Sequence, residues 1–274
     1  MTVKLIAVDM DGTLLRSDKT VSERSAEALR SALNRGVAVV PATGRVARML
    51  PGQVAELRGV RYAITSNGAL VRDLQTQKAL YRNLMTMQQA KRLMALFDAY
   101  GLFAEVYCDG IAYAQSSMLD LAVKAGLPDN ILRYILASQQ LVDDLAAQVA
   151  RQSFPPEKVN LPYVPLELRA QLREKILSIP GLTVTSSGME NLEINASSCS
   201  KGEALKFLCT MLSISPSQVM AVGDSDNDIS MLRCAGVAVA MENSLPAVKE
   251  AANFVTGTND GDGVAFAVEK LVLT

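Results

Sequence analysis

VKLIAVDMDGTLL, residues 3–15, decides the reading of this chain. An apolar run, Leu5-Ile6-Ala7-Val8, stops at Asp9, and Asp11, Gly12 and Thr13 follow at once. Such a run, short and without polar alternation, marks a parallel strand buried on both faces. In an open α/β sheet, ligands bind beyond the carboxyl ends of the strands. Two carboxylates set there are costly unless they meet a cation or do chemistry. Alternation along an extended segment would put Asp9 and Asp11 on the same side. A solvated turn explains the same residues, because Asp and Gly are frequent in turns. The rest of the chain decides between the two.

The 274 residues suffice for one large or two modest domains. An apolar fraction of 49% and a charged fraction of 20% are those of a globular protein. The net charge of -1 argues against a broad nucleic-acid footprint. No apolar run approaches the roughly 20 residues of a membrane helix, and no signal peptide is expected at the start. Cys108, Cys199, Cys209 and Cys234 lack CxxC spacing. They are expected to be small buried thiols in a reducing compartment, the cytoplasm. Histidine is absent. That excludes a Ser-His-Asp triad, a Cys-His pair and any histidine-ligated metal. Acid–base work then falls to Asp, Glu, Lys, Tyr or Cys. A divalent metal would sit among oxygens, which favours Mg²⁺ or Mn²⁺.

Residues 22–34 carry a helical period and stop at Gly36. Residues 37–40 read as a second buried strand, ending in Pro41-Ala42-Thr43-Gly44-Arg45, with a helix over 46–57. Strand, helix, strand is a βαβ unit, so Thr43 should end its strand at the same sheet edge as Asp9. A short strand over 62–65, a turn over 66–69 and a hairpin of 70–71 with 79–81 follow. From about residue 84 the pattern changes. It predicts a helix over 88–100, a hairpin turning at Cys108-Asp109-Gly110, and helices over 118–124 and 139–152. After the break at Pro155-Pro156 come a strand over 159–161, a helix over 166–177, and strands over 182–186 and 192–195 with a turn between. This mixture reads as an α+β module inserted into the first domain. The α/β rhythm then returns: a helix over 201–212 capped by Ser200, and a strand over 218–222 ending in Gly223-Asp224. A helix over 228–234, the segment 237–240, a helix over 245–252, a short strand over 253–255 and the segment 263–271 close it.

Four places carry the chemistry: Asp9 with Asp11, Thr43, Lys201, and the segment Gly223-Asp224-Ser225-Asp226-Asn227-Asp228. The last crowds its carboxylates just after a strand, which repulsion disfavours unless a cation is present. A cation is also unfavourable at a helix N-terminus, so Lys201 needs an anion nearby. Two acidic clusters at the ends of one sheet, with no histidine competing, predict an oxygen-ligated Mg²⁺ site.

The chain resembles the haloacid dehalogenase superfamily, in its Cof-type subgroup with a class IIB cap. The residues that carry the likeness are Asp9-Met10-Asp11-Gly12-Thr13, Thr43-Gly44-Arg45, Lys201-Gly202 and Gly223-Asp224-Ser225-Asp226-Asn227-Asp228. Asn67-Gly68-Ala69, residues 236–243 and Asp262-Gly263-Val264 add to it, whereas Ala196-Ser197-Ser198-Cys199 departs from the commoner Pro- and Gly-containing pattern. The resemblance implies an α/β fold: a Rossmann-like parallel-sheet core, residues 1–83 and 192–274, with an inserted α+β cap domain, residues 84–191. It implies Asp9 as nucleophile and Asp11 as acid and base, with a pKa raised by its surroundings. Met10, Thr43, Gly44, Lys201 and Asn227 would bind the phosphoryl group. Asp9, the backbone carbonyl of Asp11, Asp224 and Asp228 would serve Mg²⁺, with Asp228 orienting the shell. The Cys108-Asp109-Gly110 and Ser187-Gly188-Met189 turns would let the cap reach the substrate. The implied activity is hydrolysis of small phosphomonoesters such as sugar phosphates through an aspartyl-phosphate, with neither nucleic acid nor membrane as partner. A sugar phosphomutase of the same fold, and a receiver-like protein that stores phosphate on Asp9, are the alternatives.

Overall fold

The computed structural model describes residues 2–55, 57–124, 126–186 and 191–274. They form two compact units: residues up to Arg82 with Ser200–Thr274, and Asn83–Cys199. The first unit is built on a five-stranded sheet in the order Phe254–Val255, Val237–Ala240, Val219–Gly223, Leu5–Val8, Ala38–Pro41. Every neighbouring pair in it is parallel. Leu5–Val8 runs between Val219–Gly223 and Ala38–Pro41, with Val8 level with Val222 and with Pro41. Its four side chains are fully buried. Ile6 and Val8 pack under helices Glu23–Asn34 and Gly263–Leu271, whereas Leu5 and Ala7 pack under helix Lys201–Leu212. Helices on both faces are why this strand is apolar throughout.

Two local expectations fail in this unit. The strand ends at Val8, and the chain turns through Gly12 at φ 81°, so strand alternation does not reach Asp11. The helix expected over 46–57 is two short pieces, Ala47–Met49 and Gly52–Ala55. Pro51 holds Leu50 extended (φ −64°, ψ 134°) and cannot continue a helical hydrogen-bond ladder. Beyond lies a three-stranded antiparallel sheet of Tyr62–Thr65, Leu70–Asp73 and Ala79–Arg82. Thr43 donates its N–H to Ile64 O at 2.9 Å, which ties that sheet to the end of Ala38–Pro41.

The second unit holds a six-stranded sheet in the order Leu182–Thr185, Leu192–Ala196, Lys158–Leu161, Glu105–Cys108, Ile111–Gln115, Gln140–Val142. Its central strands alternate. Val106, Val159 and Ile194 join the apolar core under helices Met87–Ala99, Leu145–Ala150 and Leu166–Leu177, while Glu105, Tyr107, Lys158, Asn160, Glu193 and Asn195 form a polar set that is also buried. Asp109 (φ 47°) and Gly110 (φ 80°) turn the hairpin, as two left-handed residues in a two-residue connection do.

Residues 139–152 are not one helix. Gln140–Val142 is a strand parallel to Ile111–Gln115, and Asp144 then caps Leu145–Ala150 by accepting from Ala147 N. Pairing of an edge strand outweighed the apolar spacing there. Helix Asp129–Ser138, behind Pro128, was also not anticipated. Leu192–Ala196 pairs with Leu182–Thr185 and Lys158–Leu161, so the second unit runs to Cys199 and not to residue 191. Long-range pairing sets that boundary. The Ser187-Gly188-Met189 turn lies outside the described residues.

Candidate active site

Asp9 is the first residue past the central strand, and its N–H reaches Val222 O at 3.0 Å. Its side chain meets Lys201 at the opening of helix Lys201–Leu212, whose N-cap Ser200 accepts from Glu203 N. Lys201 is completely buried. Its Nζ donates to Asp9 Oδ1 at 2.6 Å and to Asp228 Oδ1 at 2.7 Å. These two carboxylates supply the anion that a lysine in a first helical turn requires. Asp228 is buried as deeply, and its Oδ2 accepts the N–H groups of Asp224 (2.9 Å) and Ser225 (3.0 Å), which folds the loop after Val219–Gly223. Gly223 is needed there, since a Cβ would stand 2.5 Å from Asp228 Cβ. Asp224 accepts from Thr13 Oγ1 at 2.7 Å and Ser225 Oγ at 3.0 Å, across from Gly12.

One carboxylate oxygen from each of Asp9, Asp224 and Asp228 lies within 4.8 Å of the others. Burial, then Asp228, push the Asp9 carboxyl well above its ordinary value despite Lys201. Burial, then Asp228, also raise Asp224. Burial opposes the Lys201 charge, but Asp228 and Asp9 outweigh it and raise the ammonium. The cluster therefore holds more negative than positive charge in a dry place, with oxygen donors only. That donor set fits a hard divalent cation.

Asp11 does not join it. Its carboxylate takes both prongs of Arg45, Nη2 to Oδ1 and Nε to Oδ2, each at 2.7 Å, and Lys19 Nζ to Oδ1 at 2.9 Å. Burial pushes Asp11 up, but Arg45 and then Lys19 outweigh it and hold the carboxyl at about 2. The expected raised value is thus reversed, because two cations were not visible as its neighbours.

Thr43 is buried, and its Oγ1 accepts from Arg45 N at 3.1 Å across Gly44. Asn227 Nδ2 donates to Asn67 Oδ1 at 3.1 Å, while Asn227 Oδ1 has no partner among the described residues. Asn67, in a left-handed conformation at φ 61°, also gives its N–H to Thr43 O at 3.1 Å. Gly68 beside it is required, since a Cβ there would meet Ser200 O at 2.1 Å. Asn67 therefore links Thr43 to Asn227; the Ser-Asn-Gly turn was the signal for it. The Met10 side chain lies in the core, and its carbonyl accepts from Thr13 N and Leu15 N. Lys19 was missed entirely, and nothing local marks it.

Residues 6–268 match the haloacid dehalogenase-like hydrolase family. The chain belongs to that family. It is 30% identical over 297 residues to the phosphatase YwpJ of Bacillus subtilis, covering 98% of this chain and 100% of that protein. It is 29% identical over 273 residues to YcsE of the same organism, named a 5-amino-6-(5-phospho-D-ribitylamino)uracil phosphatase, covering 99% and 96%. A haloacid dehalogenase-like hydrolase structure from B. subtilis superposes with a TM-score of 0.83 at 28% identity, covering 98% of this chain and 100% of that one. This hydrolase is thus an enzyme of the family's phosphatase branch. Among its described residues, no helix is long and apolar enough to cross a membrane.

Proposed function

We propose that this hydrolase is a Mg²⁺-dependent phosphatase of small phosphorylated metabolites, working through an aspartyl-phosphate on Asp9. One observation carries the reading. The Asp9 carboxylate stands past the end of the central strand, bonded to a buried lysine and clustered with Asp224 and Asp228. An oxygen of Asp9 attacks phosphorus, the bond from phosphorus to the alcohol oxygen breaks, and a proton from Asp11 goes to that oxygen. Water then attacks the phosphorus, Asp11 takes a proton from it, and phosphate leaves with the Asp9 carboxylate restored. Arg45 and Lys19 beside Asp11 favour its ionised form, the one that the second step uses, whereas the first step uses the protonated form.

Lys201, Thr43, Gly44, Asn227 and the N–H groups of Met10 and Asp11 would cradle the phosphoryl oxygens. Asn227 Oδ1, buried and without a partner among the described residues, leaves that side chain capacity for a ligand. Asp9, the Asp11 carbonyl and Asp224 would hold Mg²⁺, with Asp228 orienting them. Bound there, the ion would offset the shared negative charge of carboxylate and phosphate.

The relative named for a phosphoribitylamino substrate carries a polyhydroxylated phosphomonoester in its name, and sugar phosphates are the same chemical class. None of the four cysteines is in a disulfide, and burial chiefly holds Cys108 and Cys199 at about 12, which suits the cytoplasm. The test is release of inorganic phosphate from a panel of sugar phosphates. Mg²⁺ should support it, EDTA should stop it, and Asp9→Asn should abolish it. Full turnover by Asp9→Asn would overturn the nucleophile, and full turnover in EDTA would overturn the metal. Isomerised sugar phosphate without phosphate release would identify a mutase instead.

A further inference from the structure

Asp11 owes its surroundings to a part of the chain that the chemistry above leaves unused. Residues 15–21 form a small hairpin: Leu15 bridges Val21, Arg16 N donates to Thr20 O at 2.9 Å, and Lys19 N to Arg16 O at 2.9 Å. Lys19 sits at its bend in a left-handed conformation, φ 68°, which a non-glycine residue rarely adopts. Asp18 steadies the bend by accepting from Thr20 N at 2.9 Å and Thr20 Oγ1 at 2.6 Å. From this bend the Lys19 ammonium reaches back to Asp11 Oδ1 at 2.9 Å.

The hairpin is bolted from outside. Asn243 Nδ2 donates to Gly12 O at 2.8 Å, and Asn259 Nδ2 to Leu15 O at 2.9 Å. Asp260 accepts from Ser17 N at 2.9 Å and Ser17 Oγ at 2.7 Å. Asp262 pairs with Arg16 at 2.9 Å. Asn243 also accepts from Asn259 N at 3.0 Å, so the anchoring loop is tied to itself. Asn243 and Asp262 belong to stretches that the sequence marked and to which no chemistry was assigned. Their side chains bind Gly12 and Arg16, on either side of the segment that leads to Lys19.

Arg45 approaches Asp11 from the opposite part of the chain. Its fork fixes the plane of the carboxylate, because two parallel hydrogen bonds leave no free rotation. Nη1 is tied in turn to Met49 O at 3.1 Å. The sum at Asp11 is uneven: Oδ1 accepts two donors and Oδ2 one. A carboxylate oxygen has about two acceptor positions, so Oδ2 keeps one open.

We propose that Arg45 and Lys19 are positioning residues that clamp the Asp11 carboxylate with Oδ2 presented to the attacking water, and that the loop carrying Asn243, Asn259, Asp260 and Asp262 keeps Lys19 in the clamp. This rests on the aspartyl-phosphate reading above. In the second half-reaction the oxygen of water bonds to phosphorus, the phosphorus–Asp9 oxygen bond breaks, and the water proton passes to Asp11 Oδ2. Loosening the clamp slows that half and leaves the first half, with an easily departing group, nearly untouched.

The experiment measures acid-quenched phosphoenzyme and turnover with radiolabelled p-nitrophenyl phosphate and Mg²⁺. For Lys19→Met and Arg45→Lys, kcat should fall roughly tenfold, KM should fall with it, and phosphoenzyme should accumulate several-fold over wild type. Lys19→Arg should restore turnover, and Asp260→Ala should repeat the Lys19→Met pattern more weakly. Lys19 is 63% exposed, so its variants test the idea even if Arg45→Lys does not fold. Lower kcat without phosphoenzyme accumulation, or unchanged kcat in both clamp variants, overturns the clamp. If Asp11→Asn also accumulates no phosphoenzyme, the aspartyl-phosphate reading itself fails; if Asp11→Asn accumulates it and the clamp variants do not, only the clamp fails.

Discussion

In the second unit, the fully buried Glu105 accepts from Tyr107 Oη at 2.9 Å, Asn160 Nδ2 at 2.8 Å and Gln139 Nε2 at 2.8 Å. Lys158 beside it pairs with Glu193 at 2.9 Å and lies 4.5 Å from the Tyr107 ring centre. In the first unit, Asp9, Asp224 and Asp228 crowd within 4.8 Å, and Lys201 pairs with two of them. Both clusters are buried and ionisable, but the balance differs. The Glu105 carboxylate collects neutral donors from Tyr107, Asn160 and Gln139, although Asn160 Oδ1 and Gln139 Oε1 are themselves buried without a partner among the described residues. The Asp9 cluster has too little positive charge for its carboxylates, and such an arrangement persists when chemistry or a cation makes use of it. Burial of charge is therefore no mark of function by itself; what separates the two clusters is the excess of like charge around Asp9.

The sharpest way to break this comparison is Lys201→Met. It leaves Asp9 and Asp228 buried without their cation, at a cost of about 3–5 kcal/mol. Phosphate release should fall by at least ~100-fold as well. Urea unfolding in EDTA and steady-state turnover read the two effects. Unchanged stability would mean that the cluster does not depend on its one lysine.

Lys158→Met comes next. It strands Glu193 in the second unit, and about 3 kcal/mol should be lost from unfolding. Chemical denaturation followed by circular dichroism checks it, and a loss below that of a surface pair would remove the contrast between the clusters.

Glu105→Gln has the smallest effect and shows it as a pH dependence. Burial raises the Glu105 carboxyl, against its hydrogen bonds to Asn160 and Tyr107 and the charge of Lys158. The folded state then binds the proton more tightly than the unfolded chain does. This contribution is complete below the ordinary value of 4.5 and is lost as pH rises through the raised value. Stability of the wild type should decline with pH just above 4.5, and Glu105→Gln should flatten the curve there. An equally sloped curve in the variant would assign the decline to other groups.

Much of the first unit was legible locally. The Leu5–Val8 strand, the βαβ connection to Ala38–Pro41, the helix opening at Lys201 and the strand before Asp224 all follow from apolar runs, caps and turn residues. The second unit was less so. Gln140–Val142 and Leu192–Ala196 take their places from strand partners far along the chain, which no local pattern encodes. Pro51 could have warned against a helix over 46–57.

By itself, the sequence determined that a buried parallel strand delivers carboxylates to a sheet edge, since run length, composition and the abrupt stop at Asp9 are local properties. It also removed histidine from any acid–base or metal-binding role, since histidine is absent. Only the tertiary structure decided how Asp9 and Asp11 divide. Asp9 meets Lys201, 192 residues away, and Asp11 meets Arg45, 34 residues away, and Lys19, 8 residues away. The strand ends at Val8 and the chain turns at Gly12, so the two carboxylates enter different electrostatic surroundings. Burial and neighbouring charge set their protonation, and both are products of packing.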